Sequence, residues 1–289
     1  MNITMSDFDS RLPSGTLWRG FAPPTLLLSG GSSAPDQSGN PSFGFFDNFF
    51  TVPTTTLLSP YLKLTGTGCT VEQIVDTATE KGIMQLAVDG NAANDEAVLQ
   101  WGRGISAPFE FNVAKDLVFE CRLAVSAITA AKWSWFVGLA LADSTNGAGI
   151  TDKIFADTTG LLATTFSGVG FQHLSAEGAA VDGAYKAASQ TAQDGSTKTK
   201  LDSLHTLVAD TYVKLGFRYR AHPKTVEYYV NGVRPGGNLA PAMLTAAEIA
   251  AATFPTSSVP MAPVIGIKDI GGDTSFNIKL DWWGAAQMY

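Results

Sequence analysis

The chain has 289 residues, 45% of them hydrophobic and 16% charged, with a formal net charge of −7. That supplies apolar material for one large β domain with appendages, or at most two domains, while the charged fraction falls below the ~25% usual for globular domains. The longest basic cluster is Lys198-Thr-Lys200, too little positive charge for nucleic-acid binding, and the apolar stretch Thr25 to Leu28 is far too short to span a membrane.

The start, Met1 to Asp9, lacks the basic and apolar regions of a signal peptide, so the chain is expected to be made and used without secretory export. Residues 1–42 read as an extended arm. Pro13, Pro23, Pro24, Pro35, Pro41 and the Ser-Gly-Gly-Ser-Ser at 29–33 rule out a continuous helix or a central strand. A solvated linker has no use for Leu17, Trp18, Phe21 and Leu26 to Leu28. The arm is therefore expected to lie along a surface of this domain or of a neighbouring subunit.

Residues 43–289 read as one β domain. The aromatic run Phe43 to Val52 starts it, and strand-like segments follow at Ile83 to Asp89 and Ala97 to Trp101. Leu117 to Val125 has period two: Leu117, Phe119, Cys121, Leu123 and Val125 on one face, Val118, Glu120, Arg122 and Ala124 on the other. Trp133 to Ala142 is apolar enough for a central strand, and Gly168 to His173 is a shorter candidate. The polar region 176–204 reads as a long loop or an extra hairpin. Val213, Leu215, Phe217 and Tyr219 alternate strictly with Lys214, Gly216, Arg218 and Arg220. A four-residue turn, Ala221 to Lys224, leads to Thr225 to Val230, and Asn231-Gly232 is a type I′ turn signal. In the last segment Phe276, Ile278, Leu280 and Trp282 are expected to share a face. One short helix is marked by a capping box, Thr245-Ala-Ala-Glu248, with Leu244 and Ile249 as its hydrophobic staple and Pro255 beyond its end. Many strands and one helix give an all-β antiparallel sandwich. The two cysteines, Cys69 and Cys121, lie in strand-like surroundings and read as buried free thiols.

The order of segments Phe119 to Leu123, Phe136 to Asp143, the Phe217–Arg220 and Val226–Gly232 hairpin, and Ile278 to Gln287 resembles concanavalin-A-like jelly rolls of the laminin-G, lectin and glucanase type. More narrowly it is similar to tailed-bacteriophage virion proteins carrying such a domain. The resemblance implies a non-enzymatic virion structural protein, a capsid decoration (cement or auxiliary head) protein. Its partners would be the major capsid protein and copies of itself, a trimer on a symmetry axis, and it would reside in the virion after assembly in the host cytoplasm. The alternative is a carbohydrate-binding, lectin-like module of a fibre or tail. A glycan-degrading enzyme is the third reading.

Glycosidases of this resemblance would carry Glu-x-Asp-x-x-Glu on one strand, paired carboxylates serving as nucleophile and acid/base. Neither Glu110, Glu120 nor Asp281 has such neighbours. His173, His205 and His222 form no metal or triad spacing, and Gly66-Thr-Gly and Gly102-Arg-Gly read as turns. No catalytic residue, cofactor or metal ligand is assigned. The oxygen-rich loop Asp89 to Glu96 reads as a turn or a cation site, as does Asp269 to Asp273. Trp133, Trp135, Trp282 and Trp283 are the candidate contact residues. One of Trp282 and Trp283 must face outward, as a carbohydrate platform or a subunit contact.

Overall fold

The computed structural model describes Leu17 and residues 32–35, 41–49, 61–74, 82–89, 94–102, 108–111, 114–128, 132–141, 154–156, 160–163, 165–175, 179–187, 200–236, 242–250, 254–255, 260–271 and 275–288. Among these, two antiparallel sheets of nine and seven strands pack face to face. In the nine-stranded sheet the order is β1 (Ser32–Pro35), β2 (Pro41–Asp47), β16 (Phe276–Met288), β7 (Leu117–Val125), β12 (Val213–Arg220), β13 (Thr225–Val230) and β14 (Met243–Leu244). There, β4 (Thr70–Ile74) pairs with β5 (Ile83–Val88), which pairs with the first half of β16. In the seven-stranded sheet the order is β11 (Lys200–Thr206), β10 (Ala180–Lys186), β9 (Gly168–His173), β8 (Trp133–Leu141), β15 (Met261–Asp269), β6 (Glu96–Trp101) and β3 (Tyr61–Thr65).

Alternation decides which residues meet between the sheets. Leu117, Phe119, Cys121, Leu123 and Val125 of β7 and Val213, Leu215, Phe217 and Tyr219 of β12 all point inward, as their period of two predicts. They meet Trp135, Val137 and Leu139 of β8 and Ile265 and Ile267 of β15. β12 and β13 pair from Leu215–Val230 to Arg220–Thr225 across the predicted turn. Asn231 and Gly232 take φ of 49° and 76°, the left-handed pair a type I′ turn requires. The helix α1 (Ala246–Ala250) carries its cap as read: the Thr245 amide donates to Glu248 Oε2 at 2.7 Å and the Glu248 amide to Thr245 Oγ1 at 3.5 Å. Both cysteines are buried free thiols.

The structure extends the sandwich upstream. β1 and the start of β2, inside the stretch read as arm, pair with each other from Ser32–Gly44 to Pro35–Pro41. Their prolines cause no conflict, because β1 is an edge strand and Pro35 and Pro41 stand opposite each other at its end. Region 176–204 contributes to a hairpin, β10–β11.

One expected face is corrected. Along β16, Ile278 pairs with Val125 and Leu280 with Leu123, but then Trp282 pairs with Arg122 and Trp283 with Cys121. Asp281 is an extra residue, a β-bulge, and it inverts the alternation beyond it. Phe276, Ile278 and Leu280 therefore share the core face with Trp283, not with Trp282. Trp283 is fully buried among the rings of Phe45, Phe49 and Tyr61 at 6.0–6.1 Å. Trp283→Ala is expected to lower the unfolding free energy by about 3–5 kcal/mol, the usual cost of emptying a buried aromatic site. Urea denaturation checks it; a loss below about 1 kcal/mol would contradict this packing.

Candidate functional site

All four tryptophans are inside. Trp135 and Trp283 are fully buried, and Trp133 and Trp282 are 2% exposed. Trp133 stacks on Phe276 with ring centroids 4.5 Å apart and planes 8° apart. Trp135 lies beside His173 in the core between the sheets. Trp282 alone points to the outer face of the nine-stranded sheet, where it packs against Phe46 at 5.6 Å. The residues chosen for their aromatic rings are thus split between two faces and share no open surface.

The outer face of the seven-stranded sheet is more informative. Register aligns Glu96, Val98 and Gln100 of β6, Val264, Gly266 and Lys268 of β15, Ser134, Phe136 and Gly138 of β8, Gly170 and Gln172 of β9, and Asp182, Ala184 and Lys186 of β10 on that side. Glu96, Ser134, Gln172, Lys186 and Lys268 have no exposed surface although they point away from the core. A segment of the β8–β9 connection covers them. Ile154, Phe155, Leu162, Ala163 and Phe166 form a second apolar cluster with Leu62, Leu64, Val98, Phe136 and Val264. The cover is closed on itself by Ala156 N donating to Leu161 O at 2.6 Å and Ala163 N to Ile154 O at 2.8 Å.

Buried polar groups on the sheet hold the cover's backbone. Glu96 Oε1 accepts from Ile154 N at 2.8 Å, and Lys186 Nζ donates to Phe166 O at 3.2 Å. Lys268 Nζ donates to Phe155 O at 3.5 Å. Buried groups need such partners, and here a carboxylate and two ammoniums anchor main-chain atoms. Burial pushes the Lys186 ammonium down to about 8. Close approach is built into the floor: at Gly266 a β-carbon would overlap the Ile154 side chain. The two carboxylates of this face, Glu96 and Asp182, stand four strands apart, about 19 Å at the usual strand spacing. Paired carboxylates in sugar hydrolysis stand roughly 5–9.5 Å apart.

On the nine-stranded sheet's outer face three carboxylates meet arginines. Arg122 pairs with Asp281 at 2.6 Å, Arg218 with Asp116 at 3.4 Å, and Glu227 with both Arg220 at 3.0 Å and Arg234 at 2.9 Å. The guanidinium of Arg122 also lies 4.0 Å from the centre of the Tyr212 ring. Leu17, from the arm, is buried at the centre of this face against Val118, Tyr229 and Ala286.

The two oxygen-rich stretches converge. Asp89, Asp95 and Asp269 gather beside Cys69 at the end of the sandwich, with Asn94 N donating to Asp269 O at 2.8 Å and Asp269 N to Asp95 O at 2.9 Å. Residues 90–93 and Asp273 lie outside the described residues. Among the described residues no three His, Cys, Asp or Glu side chains are arranged to hold a metal ion. Partial burial first, and the charges of Asp89 and Asp269 next, raise the Asp95 carboxyl above its usual range. Burial and the same three aspartates push the Cys69 thiol up to about 12, so it stays protonated near neutral pH. Among the described residues no helix is long and apolar enough to cross a membrane.

No family model and no curated protein matches the chain. Solved structures do. A protein of unknown function from Shewanella oneidensis MR-1 superposes with a TM-score of 0.53 at 14% identity, over 100% of this chain and 95% of that one. Peanut lectin matches with 0.51 at 14% identity, over 85% and 97%. The endo-1,3-β-glucanase of Streptomyces sioyaensis matches with 0.50 at 14% identity, over 92% and 98%. The fold is a concanavalin-A-like jelly roll.

Two pH dependences follow, of opposite sign. Between the unfolded and the raised folded pKa of Asp95 the folded chain holds a proton that the unfolded chain has lost. Stability therefore falls as pH rises through that window. Asp95→Asn is expected to raise the melting temperature at pH 7 and to match the parent near pH 3; an unchanged Tm at pH 7 would contradict the clustering. His173 is buried with its imidazole lowered below 6.5, burial being the main cause. Below pH 6.5 the unfolded chain takes a proton there that the folded chain refuses, so stability is lost as pH falls toward the folded value. His205 is lowered too and adds to the same slope. His173→Asn is expected to flatten the fall in urea midpoint between pH 7 and 5; an identical slope in both proteins would refute this.

Proposed function

We propose that the chain is a non-enzymatic assembly subunit, a virion structural protein of the capsid-decoration kind, which acts by binding the shell and copies of itself. The observation that carries this reading is that both outward sheet faces are occupied by the chain's own residues. Ile154, Phe155 and Phe166 fill one, and Leu17 with the arginine–carboxylate pairs fills the other. Glu96 on one face and Asp281, Asp116 and Glu227 on the other are engaged with main-chain or arginine partners, which leaves them poorly suited to acid/base work. A body so sealed offers rigid shape, edges and an arm, the means by which one subunit joins others. The virion setting comes from the resemblance of segment order. Cosedimentation of the full chain with shells assembled from the major capsid protein of its own virus tests the proposal. Saturable binding is expected, and failure to bind at micromolar concentration would overturn it.

The second reading, a carbohydrate-binding module, is favoured by the likeness to peanut lectin. It requires a surface other than the four buried tryptophans. A glycan array probed with the full chain separates the two: reproducible binding to one glycan class would replace the assembly reading, and a silent array would remove the lectin reading.

A further inference from the structure

Leu17 is the one described residue upstream of Ser32, and it is fully buried. Its seat is a slot built into the nine-stranded sheet. The floor is Gly216 of β12, where a β-carbon would overlap Leu17 Cδ2. Register sets Gly216 between Glu120 of β7 and Tyr229 of β13, so one missing side chain opens a gap the size of a leucine. Val118, Tyr229 and Ala286 wall it, with Phe46 and Met288 at its margin. Around it stand the pairs Arg218–Asp116 and Arg220–Glu227–Arg234. An apolar plug inside a polar rim is the anatomy of an interface core.

The tether to this plug is longer than its seat requires. From β1 to β12 the chain must cross four strand spacings, about 19 Å. The fifteen Cα–Cα steps from Leu17 to Ser32 can extend to about 50 Å. Nothing in the length binds Leu17 to its own sheet. An identical slot on a copy placed within that span is reachable too, and exchanging one element between identical copies needs no new contact. Where copies are crowded, the neighbour's slot competes with the chain's own.

We propose that Leu17 and the Gly216 slot form an exchangeable joint, in which the arm of one copy seats its leucine in the nine-stranded sheet of a second copy. The partner is thus another molecule of this chain. The proposal rests on the assembly reading only for what the joint is used for, since exchange can be measured without any shell.

The cross-linking arm of the test starts from three full-length proteins: Leu17→Cys, Ala286→Cys, and the double variant. The native thiols of Cys69 and Cys121 are buried and contribute no surface cross-link. Under oxidation the double variant is expected to bridge, showing that Leu17 occupies the slot. A mixture of the two single variants is expected to give a cross-linked pair whose yield rises with concentration. Adding Gly216→Leu to the Ala286→Cys chain is expected to reduce that yield at least tenfold, and Leu17→Asp at 200 µM is expected to lose the self-association of the parent in analytical ultracentrifugation. A double variant that bridges only within one chain, with no pair in the mixture at any concentration, would overturn the exchange. So would a double variant that never bridges. If pairs form but shells do not bind, the joint stands and the virion reading falls.

Discussion

The thirteen residues of β16 must find partners along both edges, and the two edges do not keep step. On one side β5 and β2 take successive halves of the strand; on the other, β7 runs alongside with one residue fewer. Asp281 absorbs the difference. A slip of one residue would exchange every inward for every outward side chain, so the extra residue has to be held in one place. Arg122 holds it, at 2.6 Å from the Asp281 carboxylate and with both side chains largely buried. A buried ion pair adds little net stability over an apolar pair, yet breaking one costs about 3–5 kcal/mol. That asymmetry suits a register pin. The aromatic cluster around Trp283, the placement of Trp282 and the row that ends at the Gly216 slot all depend on it.

The same residue explains where the sequence could be read and where it could not. β7 and the β12–β13 hairpin are legible because period two and the Asn231-Gly232 turn are properties of a few neighbouring residues. The Thr245–Glu248 cap is legible for the same reason. The bulge is not, because only the mismatch between β7 and the two strands on the opposite edge of β16 requires it. Strand β15 went unread for a related reason. It contains Pro263, Lys268 and Asp269, which argue against a central strand. In three dimensions Pro263 stands just past Val264, the last residue that β6 pairs. Lys268 finds a carbonyl on a segment more than a hundred residues away.

The candidate site follows the same logic. Tryptophan marks a surface that needs covering but does not say what covers it. Both outer faces turned out to be filled, by residues whose role no local pattern announces: a leucine in a Pro/Gly-rich arm, and Ile154 and Phe155 in the β8–β9 connection. Gly216 and Gly266 could have been flagged as gaps in otherwise alternating strands, but their partners lie too far along the chain to be inferred. The acidic loop was legible as oxygen-rich, whereas its convergence with Asp269 required the fold.

The sealed faces also bear on colloidal behaviour. A chain with 45% hydrophobic and only 16% charged residues would tend to self-adhere if two broad sheets presented apolar patches to solvent. Covering them from within leaves the large exposed hydrophobics among the described residues as Ile128, Leu141, Val208 and Val233, well separated in sequence. The net charge of −7 can then act as a mild repulsion between whole molecules. If the proposed Leu17 joint forms, indiscriminate stickiness has been traded for one narrow contact, and copies held at high density would stay apart everywhere except where a leucine finds its slot.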